Sequence, residues 1–111
     1  MFGLFGRSSV KNLTPEQVAA GLAAGEIVLI DVREPRETAV ERIAGAILMP
    51  LSTFDPGKLP DPAGRAVVFS CASGIRSTKA VEIAKAAGLT YDAHLGGGLK
   101  AWKAAGYPIE R

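Results

Sequence analysis

One junction constrains this chain more than any other. The apolar run Ala66-Val67-Val68-Phe69 reads as a buried strand and leads into Ser70-Cys71-Ala72-Ser73-Gly74-Ile75-Arg76-Ser77. A helix-compatible run, Thr78 to Ala87, leads out of that stretch and stops at Gly88. A strand that passes through a short turn into a helix places the turn at a helix N-terminus. Unpaired backbone N–H groups and the positive end of the helix dipole converge there. The turn carries the only cysteine of the chain. A thiol so placed is stabilised as the thiolate, which is its nucleophilic form. Arg76 adds a permanent positive charge close by.

The remaining elements follow from caps and breakers. Thr14-Pro15-Glu16-Gln17 supplies a cap, a first-turn proline and a capping-box glutamine, so a helix begins here and Gly25 ends it. Ile27-Val28-Leu29-Ile30 is a continuous β-prone run, which suits a strand covered on both faces. Pro35 opens a short helical stretch through Ile43. Ala46 to Met49 forms a second short strand, stopped by Pro50, and Leu51 to Phe54 makes one helical turn. Asp55 to Gly64, with Pro56, Pro60 and Pro62, is an exposed loop. Tyr91 to Leu95 is the last strand, Gly96-Gly97-Gly98 breaks it, and Leu99 to Ala105 is the last helix.

Strands alternating with helices predict an α/β fold: a small, mainly parallel central sheet flanked by helices on both faces. Ligand sites of such sheets lie beyond the carboxyl ends of the strands. Asp31, Arg33, Cys71 and Gly96 to Gly98 all fall at such ends.

A length of 111 residues suits one domain. We place a short N-terminal segment at 1–12 and the domain at 13–111. The 13 Lys and Arg against 11 Asp and Glu give a net charge of +2, and they are scattered, so nucleic-acid binding is not indicated. A single cysteine forms no internal disulfide, and no Cys/His cluster suggests zinc; no cofactor is implied. The compartment is expected to be reducing, and the cytoplasm is the default. No apolar run approaches a membrane span. Met1-Phe2-Gly3-Leu4-Phe5-Gly6 is apolar but shorter than a signal-peptide core, and reads as a frayed terminus or a surface packing segment.

The Cys71 loop reads as a shallow cradle. Backbone N–H groups of residues 72 to 77 would aim at the sulfur and at an anion bound to it. Gly74 permits the curvature, Ser73, Ser77 and Thr78 offer hydroxyls, and Ser77 could cap the helix. The bland alternative is a buried structural cysteine. Cysteine phosphatases place their arginine after five intervening residues. Here four, Ala72 to Ile75, separate Cys71 from Arg76, so the cradle is smaller and suits a terminal sulfur better than a phosphoryl group.

Three blocks resemble the rhodanese family in its single-domain form, over about Leu13 to Ile109. Asp31-Val32-Arg33-Glu34-Pro35 with Gly45-Ala46-Ile47-Leu48-Met49-Pro50 resembles its first signature. Cys71 to Ser77 resembles its active-site loop, and Gly97 to Ile109 its C-terminal signature. The resemblance implies a thiosulfate sulfurtransferase-like enzyme. Cys71 would be the nucleophile and carry a persulfide, and Ala72, Ser73, Gly74, Ile75, Arg76 and Ser77 would form the cradle. A sulfane sulfur would pass from thiosulfate or a persulfide to cyanide, a thiol or a protein acceptor.

The chain departs from the family pattern in two places. Ala72 stands where many thiosulfate-using members carry a basic or polar residue, which favours a less charged donor and leaves Arg76 as the loop's only fixed cation. Glu41-Arg42-Ile43 replaces the usual glycine-histidine pair. Asp31 and Arg33 either order the loop or form a solvated strand-end pair. His94, the only histidine, reads as a partly buried strand residue rather than a base for Cys71. Trp102 is expected to pack the last helix onto the core. The rival function is a non-catalytic carrier or sensing module, with Phe2, Leu4 and Phe5 as partner contacts.

Overall fold

The structure, a computed structural model, describes residues 9–111; the apolar segment Met1 to Gly6 lies outside them. Five parallel strands form one sheet in the order β1-β5-β4-β2-β3. They are β1 (Lys11–Leu13), β2 (Ile27–Asp31), β3 (Ile47–Leu48), β4 (Ala66–Ser70) and β5 (Ala93–Leu95). The helices are α1 (Pro15–Ala23), α2 (Pro35–Thr38), α3 (Ile75–Ala86) and α4 (Gly98–Ala104).

The pleat divides the core in two. Val28 pairs with Val67 and Ile30 with Phe69, and these side chains meet Ala80, Val81 and Ala84 of α3. Leu29 pairs with Val68 and points the other way, onto Val18 of α1 and Leu99 and Trp102 of α4. A continuous apolar run was needed on β2 and β4 because both faces are covered. Trp102 packs as expected: it is buried, its Nε1 donates to the Pro108 carbonyl at 2.8 Å, and its ring lies against Tyr107.

The α1 cap is the capping box read from sequence. Thr14 Oγ1 accepts from the Gln17 N–H at 3.1 Å, and Gln17 Oε1 accepts from the Thr14 N–H at 2.9 Å. Other boundaries differ. The expected helix from Pro35 to Ile43 stops at Thr38. Arg42 instead forms a two-way backbone bridge with Glu110, and its guanidinium takes the Thr38 carbonyl at 3.1 Å. The loop after Phe54 contains one 3₁₀ turn, Pro56–Lys58, capped by Asp55. β1 has no counterpart in the sequence reading. It extends the sheet to Lys11 and Asn12, ahead of the expected domain start at 13.

The last helix seats directly beneath the Cys71 loop. The Leu99 N–H donates to the Cys71 carbonyl at 2.8 Å, and the Lys100 N–H to the Ala72 carbonyl at 3.0 Å. The approach needs a glycine. Gly98 has φ 60°, and a Cβ there would lie 2.4 Å from the Cys71 oxygen. Gly98→Ala is therefore expected to destabilise the fold by about 2–4 kcal/mol, combining left-handed strain with overlap against rigid backbone. Urea unfolding checks this, and a loss below about 0.5 kcal/mol would contradict the seating.

Candidate active site

Cys71 directly follows the last residue of β4, Ser70, and α3 begins at Ile75, earlier than the sequence suggests. Gly74 occupies the N-cap position with φ 103°, a left-handed conformation that glycine adopts without strain. Ser77 therefore lies inside the first turn and does not cap the helix. Its hydroxyl is free to face the cysteine.

Cys71 is a buried residue, at 1% exposure. Its sulfur accepts from the backbone of the turn that follows, from the Gly74 N–H at 3.0 Å and the Ser77 N–H at 3.3 Å, and the Ser77 hydroxyl lies 3.4 Å away. Burial pushes the thiol up. The Ser77 hydroxyl and the N–H groups of Ser77, Gly74 and Ser73 together pull it down further, so the net direction is below an ordinary cysteine. Of the backbone donors expected from residues 72 to 77, the N–H groups of Gly74 and Ser77 hydrogen-bond to Sγ. Ile75 stands at its rim, 79% exposed.

Arg76 points elsewhere than expected. Its guanidinium forks onto Glu37 of α2, with Nη1–Oε1 at 2.6 Å and Nη2–Oε2 at 2.9 Å. The charge read as available to an anionic donor is thus already paired. Sequence reasoning missed Glu37 because its partner lies 39 residues away. Asp31 and Arg33 form a buried pair with each other at 2.8 Å, and Arg33 also donates to the Glu41 carbonyl at 3.0 Å. They anchor the segment after α2. Among the described residues, neither hydrogen-bonds to the Cys71 loop.

His94 is a buried strand residue, as the bland reading had it, but it is not isolated. Its Nδ1 lies 2.7 Å from Ser77 Oγ, and its Nε2 lies 2.5 Å from Oδ1 of Asn12, the residue opposite it on β1. Asn12 carried no sequence signal, since its strand is three residues long with a single apolar side chain.

Two open depressions flank the loop. One, about 410 Å³, is lined by Arg33, Glu37, Ala72, Leu99, Lys100 and Lys103 among others. The other, about 560 Å³, is lined by Leu51, Gly74, Ile75 and Arg76 with Thr78, Lys79 and Glu82. Among the described residues, no group of three or more His, Cys, Asp or Glu side chains is arranged to hold a metal ion.

A thiol under convergent N–H donors, at the carboxyl end of a parallel sheet, is accompanied by a family match. The model of the rhodanese-like domain matches residues 14–105. The chain belongs to the rhodanese-like domain family. An uncharacterized protein of Synechocystis is 44% identical over 82 residues, covering 74% of this chain and 46% of that protein. The chain thus spans about half the length of that relative. A sulfurtransferase of Allochromatium vinosum is 33% identical over 101 residues, covering 90% of this chain and 94% of that one. A Rhodopseudomonas palustris structure, described as a protein of unknown function and possible tyrosine phosphatase, superposes with a TM-score of 0.78 at 35% identity, covering 93% of this chain and 86% of that one. Rhodanese-like domains act on sulfur donors and acceptors. Among the described residues, no helix is long and apolar enough to cross a membrane.

The Glu37–Arg76 pair has a pH consequence. The Arg76 hydrogen bonds hold the Glu37 carboxyl at about 2, below its ordinary 4.5. A depressed acid stabilises the fold above the ordinary value and loses that contribution as pH falls toward the depressed one. With side-chain exposures of 33% and 27%, solvent screening reduces the worth of the pair to about 1–2 kcal/mol. The stability gap between the native chain and Glu37→Gln should shrink by about that much between pH 5 and pH 2 in urea unfolding. A gap independent of pH would contradict the pairing.

Proposed function

We propose that this rhodanese-like domain is a sulfurtransferase whose Cys71 carries sulfur as a persulfide, and that its preferred donor carries little charge. The convergence of donors on Cys71 Sγ supports the first part. A thiolate held this way attacks the outer sulfur of a persulfide R–S–SH. The S–S bond to R breaks, R–S⁻ leaves, and Cys71 holds S–SH. With thiosulfate the leaving group is sulfite. An acceptor such as cyanide or a thiolate then attacks the outer sulfur, and Cys71 leaves as the thiolate. The donors that stabilised the thiolate also serve the persulfide anion, and the two half-reactions give ping-pong kinetics.

The pairing of charges around the loop supports the second part. Arg76 is engaged by Glu37, Lys103 by Glu41 at 2.7 Å, and Arg33 by Asp31. Ala72 adds no charge. Of the cations lining the depression beside Ala72, only Lys100 has no ion-pair partner among the described residues, so a dianion such as thiosulfate meets one uncompensated side-chain charge there, whereas a neutral persulfide needs none. The exposed Ile75 suits contact with the carbon chain of a donor or with a protein acceptor. A reducing compartment, as in the cytoplasm, would keep the thiol available. The one-residue-shorter loop and Ser70 before the cysteine weigh against phosphoryl transfer.

Steady-state thiocyanate formation from cyanide tests both parts. The native chain should give parallel double-reciprocal lines and a larger kcat/KM with a neutral alkyl persulfide than with thiosulfate. Cys71→Ser should lose turnover with both donors while keeping its unfolding midpoint. Native-level turnover in Cys71→Ser would overturn the mechanism. Equal kcat/KM for the two donors would overturn the donor preference.

A further inference from the structure

The buried His94 has no part in the sulfur chemistry above, yet it completes a continuous chain of polar atoms. That chain runs from Cys71 Sγ to Ser77 Oγ at 3.4 Å, then to His94 Nδ1 at 2.7 Å, and from His94 Nε2 to Asn12 Oδ1 at 2.5 Å. We propose that Ser77 and His94, oriented by Asn12, form a proton relay that accepts the Cys71 proton and returns it, making His94 and Asn12 positioning residues for the nucleophile. The inference rests on the reading of Cys71 as that nucleophile.

The direction of the relay follows from donor and acceptor bookkeeping. An amide oxygen can only accept, so His94 carries its proton on Nε2 and donates to Asn12. Nδ1 of the neutral ring is then an acceptor, and the Ser77 hydroxyl donates to it. The hydroxyl oxygen is left to accept from the Cys71 S–H. Moving one proton along each link yields a Cys71 thiolate, a Ser77 hydroxyl turned toward it, and an imidazolium that donates to Ser77 from Nδ1 and to Asn12 from Nε2. Every polar atom stays paired in both states, and no electron or outside reactant is involved. When the acceptor removes the outer sulfur and Cys71 leaves as a thiolate, the same path restores the thiol. A nucleophile, a base and an orienting third group within hydrogen-bond reach make up this logic, here with a hydroxyl inserted between the first two.

The surroundings permit it. Burial lowers the His94 pKa, so the ring is neutral before the transfer, and the imidazolium it becomes is held by its hydrogen bonds to Ser77 and Asn12 and by the thiolate beyond Ser77. Among the described residues, the ring is met by Asn12 from β1, by Ser77 from α3, and by Gly74, whose would-be Cβ lies 3.6 Å from His94 Cε1. Cys71 reaches the ring through Ser77, and no carboxylate or cation is among the causes of the His94 shift. Because the thiol and imidazole are coupled, they titrate as a pair.

The test is the pH dependence of Cys71 alkylation by iodoacetamide in the full chain, which reads thiol protonation without requiring sulfur transfer. His94→Leu should raise the midpoint and slow alkylation at pH 7 by about tenfold, the equivalent of one pH unit. Asn12→Asp keeps the Nε2 partner and favours the imidazolium, so it should shift the midpoint downward. Ser77→Ala disconnects the relay, so adding His94→Leu to it should cost nothing more. An unchanged midpoint in His94→Leu and Asn12→Asp, or a double variant whose loss is the product of the single losses, would overturn the relay. Asn12→Asp, which preserves size and hydrogen bonding, keeps the test open should His94→Leu fold poorly. If sulfur transfer failed while these shifts appeared, the relay would stand and the proposed reaction would fall.

Discussion

Cys71 sets two opposing forces against each other. The residue is enclosed, which by itself favours the neutral thiol, and its sulfur is ringed by donors that favour the anion. The enclosure comes from the α3-side core, which includes Cys71 among its buried members. The donors come from the left-handed turn at Gly74, which bends the chain so that its own N–H and that of Ser77 face back toward β4. Neither force is useful alone. Without enclosure the donors would be screened by water, and without donors the burial would suppress ionisation.

The loop is held from below and from the side. α4 grips the Cys71 and Ala72 carbonyls with its first N–H groups, which turns the orphan donors of a helix start into a clamp on the site. α2 reaches across with Glu37 to Arg76 and fixes the start of α3. The same pair withdraws a cation from the mouth of the site, so rigidity and donor preference share one interaction. Replacing that pair would alter both at once, which is why stability and donor choice are best read separately.

Much of this was legible in the sequence because it rests on local rules. The capping box at Thr14 and Gln17, the doubly buried runs of β2 and β4, and the cysteine turn between strand and helix each follow from neighbours in the chain. The misses are long-range. β1 owes its existence to pairing with β5, not to any pattern of its own, and Asn12 matters only because the register sets it opposite His94. α2 stops at Thr38, short of the Ile43 that local pattern predicts, because the bridge from Arg42 to Glu110 lies outside any local window. From the loop alone Arg76 reads as a cation open to a ligand, because its partner Glu37 sits on another element. Ser77 is expected as a hydroxyl of the loop that could also cap the helix; the helix begins before it, so the capping role falls away and the hydroxyl lies between Cys71 and His94.

The central claim is that Cys71 is a sulfur carrier. Intact-protein mass spectrometry after brief exposure to a sulfane donor, followed by cyanide, tests it most directly. The expected result is a gain of one sulfur atom, mapped to Cys71 by peptide analysis and lost again on adding cyanide. A thiol that alkylates readily yet gains no sulfur from either a neutral persulfide or thiosulfate would contradict it.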